Sequence, residues 1–409
     1  MRARWLCLAA LVATAPVLAS CGGTAVSGAS EAVGSQLAIY SSLPLQGREA
    51  AVSQQIVDGE TLALAETGGR VGPFKVGYVS LDDSNESNGR WDPGISATNA
   101  KTAAEDTSTI AYIGDLDSGA TAITLPLMNA AGILQVSPAS PYVGLTSSRD
   151  AGQDEPERFY PSGKRTFGRL QPGDPVEAAA QVRLMSALGV HRVYVLDNEE
   201  PFAAPLAELV AEDAARAGIE VAAHDSLATA GGTLYSGEVE KVVHSQAQAV
   251  FFAGGGGPGA VALWQQLHDA DPDLLLLGSR ALAETSFTSQ IGAAAGSTYL
   301  TTPLLALDEY PPSARRVLAA SSRQFGGEAG PWVLYGYEAM SVVLDSIRSA
   351  GVRGNVRRVV TERFFATSDR SSVIGRYSIE ADGETTLSRY GVDRVVGGRP
   401  VFYRAIEVN

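Results

Sequence analysis

The stretch VFFAGGGGPGAVALW, Val250 to Trp264, contains an apolar run, a loop of glycines and a helix-like segment in direct succession. A short apolar strand followed by a helix is the repeating unit of α/β proteins, in which helices cover parallel strands. Gly254, Gly256 and Gly259 also satisfy G-x-G-x-x-G, a fingerprint of dinucleotide-binding loops. The stretch therefore predicts an α/β fold, and its loop raises the question of a bound cofactor.

The same alternation continues on both sides of this stretch, in two series that are separated near Pro172. Apolar runs and helical spacing predict strands at residues 37–41, 74–80, 109–114, 132–137, 192–196, 220–223, 249–253 and 274–278, and helices at 50–66, 95–105, 120–131, 176–188, 204–217, 237–245, 260–270, 313–324, 334–350 and 356–361. The tail, 373–408, alternates like strands. Two such series predict two lobes, each with a doubly wound parallel sheet.

The N-terminus is predicted to be a lipoprotein signal peptide, residues 1–20. Arg2 and Arg4 precede an apolar stretch that is too short to span a membrane as a mature helix. The stretch ends in Leu-Ala-Ser-Cys, which resembles a bacterial lipobox and predicts that Cys21 is lipidated. Cleavage that leaves Cys21 as a free thiol is the alternative. Since Cys7 lies inside the signal, the mature chain offers no disulfide and no cysteine-based metal site.

The composition of the mature chain favours a tethered, two-lobed protein. Residues 21–36 are small and rich in Gly, Ala and Ser, which predicts a flexible tether. A chain of 409 residues suits two lobes, and its net charge of −14 argues against nucleic acid as a partner. From residue 37 onward no apolar run is long enough for a second membrane segment.

Catalytic motifs are missing from the sequence. It contains no G-x-S-x-G, H-E-x-x-H or S-x-x-K motif set, its four histidines are scattered, and Asp82-Asp83 is typical of a solvated turn at a strand end. The glycine loop lies late in the second series and lacks the acidic partner that a dinucleotide site requires; Arg280 stands near the end of the next strand. We therefore expect no enzyme, no cofactor and no metal. An NADP-binding enzyme remains a remote alternative.

Several short stretches, in this order and spacing, resemble the branched-chain amino-acid (leucine)-binding group of type I periplasmic binding proteins, which are substrate-binding lipoproteins of ABC transporters. They are Leu43-Pro44-Leu45-Gln46-Gly47, Asp92-Pro93, Ser118-Gly119-Ala120-Thr121, Gly132 to Ser140, Phe167-x-Arg169-x-x-Pro172-x-Asp174, Phe325-Gly326 and Gly336-Tyr337-Glu338-Ala339.

This resemblance implies a fold and a function. The fold would have two lobes joined by a three-strand hinge, the first lobe at 37–165 and 303–366 and the second at 166–302 and 367–409. The protein would be an extracytoplasmic, membrane-anchored monomer that captures a small polar solute, such as an amino acid, a carboxylate or an amide, and delivers it to the permease of an ABC importer. A sensor of the same fold that signals to a partner protein is the alternative.

The resemblance also implies ligand contacts, which fall on loops at predicted strand ends. On the first lobe these are Ser118, Gly119, Ala120, Thr121, Ala139 and Ser140, and on the second lobe Phe202, Gly255, Gly256 and Arg280. The serines would bind a carboxylate or an amide, or would only cap helices. The second lobe departs from the family pattern. Gly256 occupies a position where the family often has an aromatic residue, and Arg280 occupies one where amino-acid binders often have a carboxylate. Arg280 at face value disfavours a ligand ammonium. The identity of the ligand stays open.

Overall fold

The computed structural model describes residues 30–85, 89–149, 151–229, 232 and 234–408. The predicted signal peptide and Cys21 lie outside these residues. Of the predicted tether, the last residues are described and lie on the folded domain: Ala32 is buried, and its N–H donates to Asn355 O at 2.7 Å. The N–H of Val33 donates to Thr107 O at 2.9 Å. The segment before Gln36 is therefore fixed by backbone hydrogen bonds, and the flexible tether that we predict ends before Glu31.

The first sheet has six strands in the order β2-β3-β1-β4-β5-β6. Its members are β1 (Gln36–Leu43), β2 (Arg70–Val71), β3 (Phe74–Asp82), β4 (Thr109–Ile113), β5 (Leu134–Ser137) and β6 (Phe167–Arg169). All pairs are parallel except the β2–β3 hairpin at one edge. Strand β4 is buried along its whole length, as is usual for a strand that is covered on both faces.

The second sheet has seven strands in the order β15-β14-β11-β10-β9-β7-β8. Its members are β7 (Arg192–Asp197), β8 (Glu220–Ser226), β9 (Ala249–Ala253), β10 (Leu275–Gly278), β11 (Thr298–Thr302), β14 (Arg389–Val396) and β15 (Arg399–Glu407). The pairs from β8 to β11 are parallel, and β14 and β15 are antiparallel. A further short pair joins β12 (Arg370–Ser371) to β13 (Arg376–Tyr377).

Helices cover both sheets. They are α1 (Ala50–Glu66), α2 (Pro93–Glu105), α3 (Ser118–Ala130), α4 (Asp174–Ala187), α5 (Ala204–Arg216), α6 (Ser236–His244), α7 (Pro258–Ala270), α8 (Thr285–Thr288), α9 (Pro312–Phe325), α10 (Trp332–Ala350) and α11 (Arg357–Phe365). No helix within the described residues is long and apolar enough to cross a bilayer.

Helices α1 and α10 pack with their backbones in close approach. A side chain at Gly336 would place its Cβ 2.0 Å from Ile56 O, and one at Gly59 would place it 2.1 Å from Val333 O. Since such distances are far inside van der Waals contact, only glycine permits this crossing. Helix α10 comes after β7 to β11 of the second sheet in the chain, and this crossing packs it against α1, the helix that follows β1 in the first lobe.

The predicted two-lobed α/β fold is confirmed, with mixed sheets in place of wholly parallel ones. Strand β6 pairs with β5 in the first sheet, although the resemblance implies that the second lobe begins at residue 166. Likewise, Val373, Ile374 and Tyr377 pack in the hydrophobic core of the first lobe, beyond residue 366. We therefore propose that the first and third connections cross between the lobes after Arg169 and after Ile379.

Candidate ligand-binding cleft

Each sheet has one place where neighbouring strands continue in opposite directions across the sheet. In the first sheet this place lies between β1 and β4, and in the second between β7 and β9. Loops at the carboxyl ends of two such strands diverge and leave a crevice, where open α/β sheets bind ligands. In this chain loops from both places line one cavity.

A cavity of about 780 Å³ lies between the two lobes. Its first-lobe wall includes the loops after β1, β4 and β5, and its second-lobe wall includes the loops after β7, β9 and β10. Of the predicted site residues, Ser118, Gly119, Ala139, Phe202, Gly255 and Arg280 line this cavity. The volume fits a small molecule.

The remaining predicted residues of the first lobe lie behind the wall. Thr121 and Ser140 are fully buried, and their hydroxyl groups form a hydrogen bond of 2.6 Å with each other. Ser140 also donates to the carbonyl of Asp115 at 3.0 Å. Ala120 is buried as well and does not border the cavity. These hydroxyl groups therefore hold the loops after β4 and β5 together.

Ser118 is the first residue of α3, and its hydroxyl does not cap that helix. Its Oγ instead accepts a hydrogen bond from the N–H of Tyr142 at 3.2 Å. Because Ser118 and Gly119 begin a helix, their backbone N–H groups have no acceptor within the helix and carry partial positive charge. This end of α3 can therefore receive an anionic or carbonyl group of a ligand.

Arg169 fixes the loop that carries Ala139 and Pro141. The side chain is fully buried at the end of β6, and Nη1 donates to Ser140 O at 2.7 Å. Nη2 donates to Tyr142 O at 2.9 Å and to Thr146 Oγ1 at 2.8 Å, and it lies 2.9 Å from a carboxylate oxygen of Glu384. One cation thus joins a cleft loop to the segment between β13 and β14, which contains Glu384.

The glycine loop separates into two parts. Gly254 and Gly255 line the cavity, and a side chain at Gly255 would meet nothing within 4 Å. At Gly256 a Cβ would lie 2.9 Å from Cβ of Phe287, so this residue faces the interior of the second lobe. At Gly259 a Cβ would lie 2.0 Å from Thr229 O. Close packing within the second lobe therefore explains why glycine occupies positions 256 and 259, two of the three glycines of the G-x-G-x-x-G pattern.

Arg280 lines the cavity, but its charge is already compensated. Nη1 lies 3.1 Å from Oδ1 of Asp174 and also contacts Glu177, and both carboxylates are fully buried. Burial lowers the pKa of Arg280, whereas the two carboxylates raise it, and the net direction is upward. Burial raises the pKa of Asp174 to about 6, in spite of Arg280. The repulsion between Arg280 and a ligand ammonium that the sequence suggests is thereby weakened.

The wall also carries charged residues that the sequence analysis did not select. Four carboxylates line the cavity, from Glu49, Asp117, Glu200 and Glu284, against three guanidinium groups, from Arg48, Arg90 and Arg280. Each of Glu49, Asp117 and Glu200 follows a strand end by a few residues. Their position after strand ends could have marked them as cleft residues in the sequence. Exposed turns carry the same residue types, however, so the position alone does not distinguish the two.

Asp117 has the most perturbed of these carboxyl groups. Its Oδ2 is buried and has no hydrogen-bond partner among the described residues. Burial, together with the neighbouring carboxylates of Glu49 and Asp83, raises the pKa of Asp117 to about 8, although Arg90 and Arg48 act in the opposite direction. Oε2 of Glu49 is also buried without a partner in the described part of the chain, and burial raises the pKa of Glu49.

The chain belongs to the Periplasmic binding protein family, whose sequence model matches residues 41–396. This family consists of extracytoplasmic solute-binding proteins, not enzymes, which confirms the resemblance and the expected class of protein.

Individual relatives agree with this assignment. A Leu/Ile/Val-binding protein of Rhizobium johnstonii is 25% identical over 364 residues, which are 88% of this chain and 91% of the relative. The crystal structure of the leucine-binding protein LivK from Thermotoga maritima has a TM-score of 0.74 at 21% identity and covers 91% of this chain and 99% of its own. LivJ from Streptococcus pneumoniae, in complex with isoleucine, has a TM-score of 0.70 at 18% identity, with coverage of 91% and 99%. The two structures establish the type I fold.

Proposed function

We propose that this protein is the lipid-anchored substrate-binding component of an ABC importer, and that it captures a small polar solute by closure of its two lobes. The observation that carries this proposal is the cavity of about 780 Å³ between the carboxyl ends of both sheets, with walls from both lobes. A solute that contacts both walls favours the closed arrangement over an open one by its differential affinity for the two.

The solute class that we propose is an amino acid or a related compound with a carboxylate or an amide. Support comes from the first turn of α3, where Ser118 and Gly119 border the cavity and backbone N–H groups suit an anionic group. Ala139 and Phe202 line opposite walls, where they can contact the remainder of the molecule. The curated relative from Rhizobium, which is named as a Leu/Ile/Val-binding protein, supports the same class.

The anchor and the transporter are part of the proposal. Acylation at Cys21 would hold the domain at the outer face of the cytoplasmic membrane, because two or three acyl chains anchor a protein stably. The domain would then present its solute to a permease. A sensor of the same fold would also bind and close, but it would pair with a signalling partner instead of a permease and an ATPase.

Thermal stability in the presence of candidate solutes tests the binding function. A panel of amino acids, amides, carboxylates and sugars should raise the melting temperature with one class only, because a ligand that binds the native state stabilises it by mass action. Small-angle scattering with and without that solute should show a decrease in the radius of gyration. NADPH should neither stabilise the protein nor change its dimensions. Stabilisation by no member of the panel would contradict the proposal.

A further inference from the structure

Four carboxylates and three guanidinium groups line the cavity, and on the first lobe Arg48 and Arg90 lie near Asp117 and Glu49. Arg280 is paired with two buried carboxylates from its own lobe, so it does not offset the acidic groups elsewhere on the wall. On the first lobe Asp117 and Glu49 each have a buried carboxylate oxygen that no described residue hydrogen-bonds. Native structures rarely leave such atoms unpaired, since an unpaired buried polar group costs free energy.

We propose that the solute carries a net positive charge and that a charged nitrogen other than an α-amino group binds on the first lobe, to the carboxylates of Asp117 and Glu49. The proposal rests on the binding function above and specifies its solute class as organic cations, including basic amino acids and diamines. It also places the charge recognition on the lobe opposite to Arg280.

The surroundings of the two carboxylates favour an organic cation as their partner. The described residues contain no group of three His, Cys, Asp or Glu side chains that could hold a metal ion. The same wall carries the rings of Trp91 and Trp332, and Phe202 lines the wall opposite; these rings suit the carbon atoms of an alkylammonium compound. Gly255 leaves the opposite wall without a side chain, and this provides room for an extended molecule.

The protonation of Asp117 supplies a signature of this interaction. Burial, Glu49 and Asp83 raise the pKa of Asp117, while Arg90 and Arg48 lower it, and the net value is about 8. Near neutral pH the carboxyl group therefore binds a proton in the ligand-free protein. An adjacent ammonium group would lower that pKa, so that binding releases protons, and affinity should increase as the pH rises from about 6 to 8.

Calorimetric titration of the full chain provides the test. L-lysine, L-arginine and 1,4-diaminobutane serve as cationic probes, with L-leucine, L-glutamate and succinate for comparison. At least one cationic probe should bind more tightly than the comparison compounds. Titrations in two buffers with different ionisation enthalpies should show proton release near pH 7.

Matched variants identify the residues. Asp117→Asn should weaken the cationic probe about 10- to 100-fold, because a charge-assisted hydrogen bond is lost. Glu49→Gln should weaken it to a lesser extent, since this side chain also contacts Arg48. Asp269→Asn changes an exposed residue at the end of α7 and should leave affinity unchanged. The melting temperature of ligand-free Asp117→Asn should equal or exceed that of the parent, which shows that the variant is folded.

Two results would overturn the inference. One is tight binding of a neutral or anionic solute that Asp117→Asn does not weaken; the binding function would then stand and only the cation would be wrong. The other is the absence of binding by all cationic probes. If every comparison compound and the wider panel also fail to bind, the proposed function fails with it.

Discussion

The ring of Tyr142 and the ring of Phe202 meet edge to face, with their centroids 5.0 Å apart and their planes at 81°. Tyr142 follows β5 of the first lobe and Phe202 follows β7 of the second, so the contact joins the two lobes beside the cavity. Under the proposed closure, opening of the lobes would break this contact. The contact would then contribute to the stability of the closed form.

Phe202→Ala should lower solute affinity by about 2- to 10-fold, because an aromatic pair contributes about 0.5–1.5 kcal/mol beyond its buried area. Titration calorimetry with the solute that the stability panel identifies measures the effect. Phe325→Ala removes a partly exposed ring at the end of α9 and should have no effect on affinity. Equal affinities for Phe202→Ala and the parent would show that this contact does not participate in closure.

Arg280→Met should destabilise the protein by about 3–5 kcal/mol, since it leaves Asp174 and Glu177 buried without their cation. Urea unfolding of the ligand-free protein measures this loss. Arg216→Met removes ion pairs of comparable geometry on the surface of α5, where the cost should be below about 1 kcal/mol. A small loss for Arg280→Met would instead favour a direct role of Arg280 in binding an anionic solute.

Gly255→Tyr should abolish or strongly reduce binding of the natural solute, because the side chain would enter the cavity. An affinity at least about 10-fold lower is expected when a bulky group occupies ligand space. Gly257→Tyr provides the matched control, since Gly257 also has open space beside it but does not line the cavity. Unchanged affinity in Gly255→Tyr would mean that the solute occupies the first-lobe side alone.

Gly336→Ala should destabilise the first lobe by about 1–3 kcal/mol, because its Cβ would overlap Ile56 O in the crossing of α1 and α10. Gly237→Ala, at an open position in the first turn of α6, should be neutral or stabilise by up to about 1 kcal/mol. Chemical unfolding followed by circular dichroism compares the two. A neutral Gly336→Ala would show that the helices separate without cost.

The ligand-free protein should lose stability as the pH rises from about 5 to 9. Burial raises the pKa of Asp83 to about 8 and that of Asp115 to about 7, from an ordinary value of 3.8. Between these limits the native state binds protons that the unfolded state has released, so the slope of unfolding free energy against pH is negative. Melting temperatures measured across this range test the sign.

The variant Asp83→Asn should flatten this pH profile, because it removes one of the groups that remain protonated in the native state. Asp273→Asn changes an exposed carboxylate and should leave the profile as it is. A melting temperature that increases steadily toward pH 9 in the parent would contradict the raised pKa values.

Much of the fold is readable from the sequence because buried parallel strands and amphipathic helices leave distinct patterns. The predicted strand at residues 249–253 and the predicted helix at 50–66 agree with the structure at both ends. Strands β6 and β11 are not predicted by such a pattern. They are short, and their places are determined by pairing with β5 and β10.

The site is less readable, because the direction of a side chain depends on distant neighbours. The sequence correctly places loops at the cleft, but it does not show that Ser140 turns inward to Thr121. The pairing of Arg280 with Asp174 spans more than a hundred residues and has no local signature. Asp117 could equally have been a solvated turn residue, and only its surroundings distinguish it.

The link between Arg169 and Glu384 has a consequence for how affinity can be adjusted. Glu384 lies between β13 and β14, in the segment that we propose as the third connection, and it does not line the cavity; it nevertheless contacts the cation that holds Ser140 and Tyr142 in place. A residue outside the wall can therefore shift the loop that carries the cavity-lining residues Ala139 and Pro141. Substitutions at Glu384 would therefore change the affinity for the solute while every cavity-lining residue stays the same.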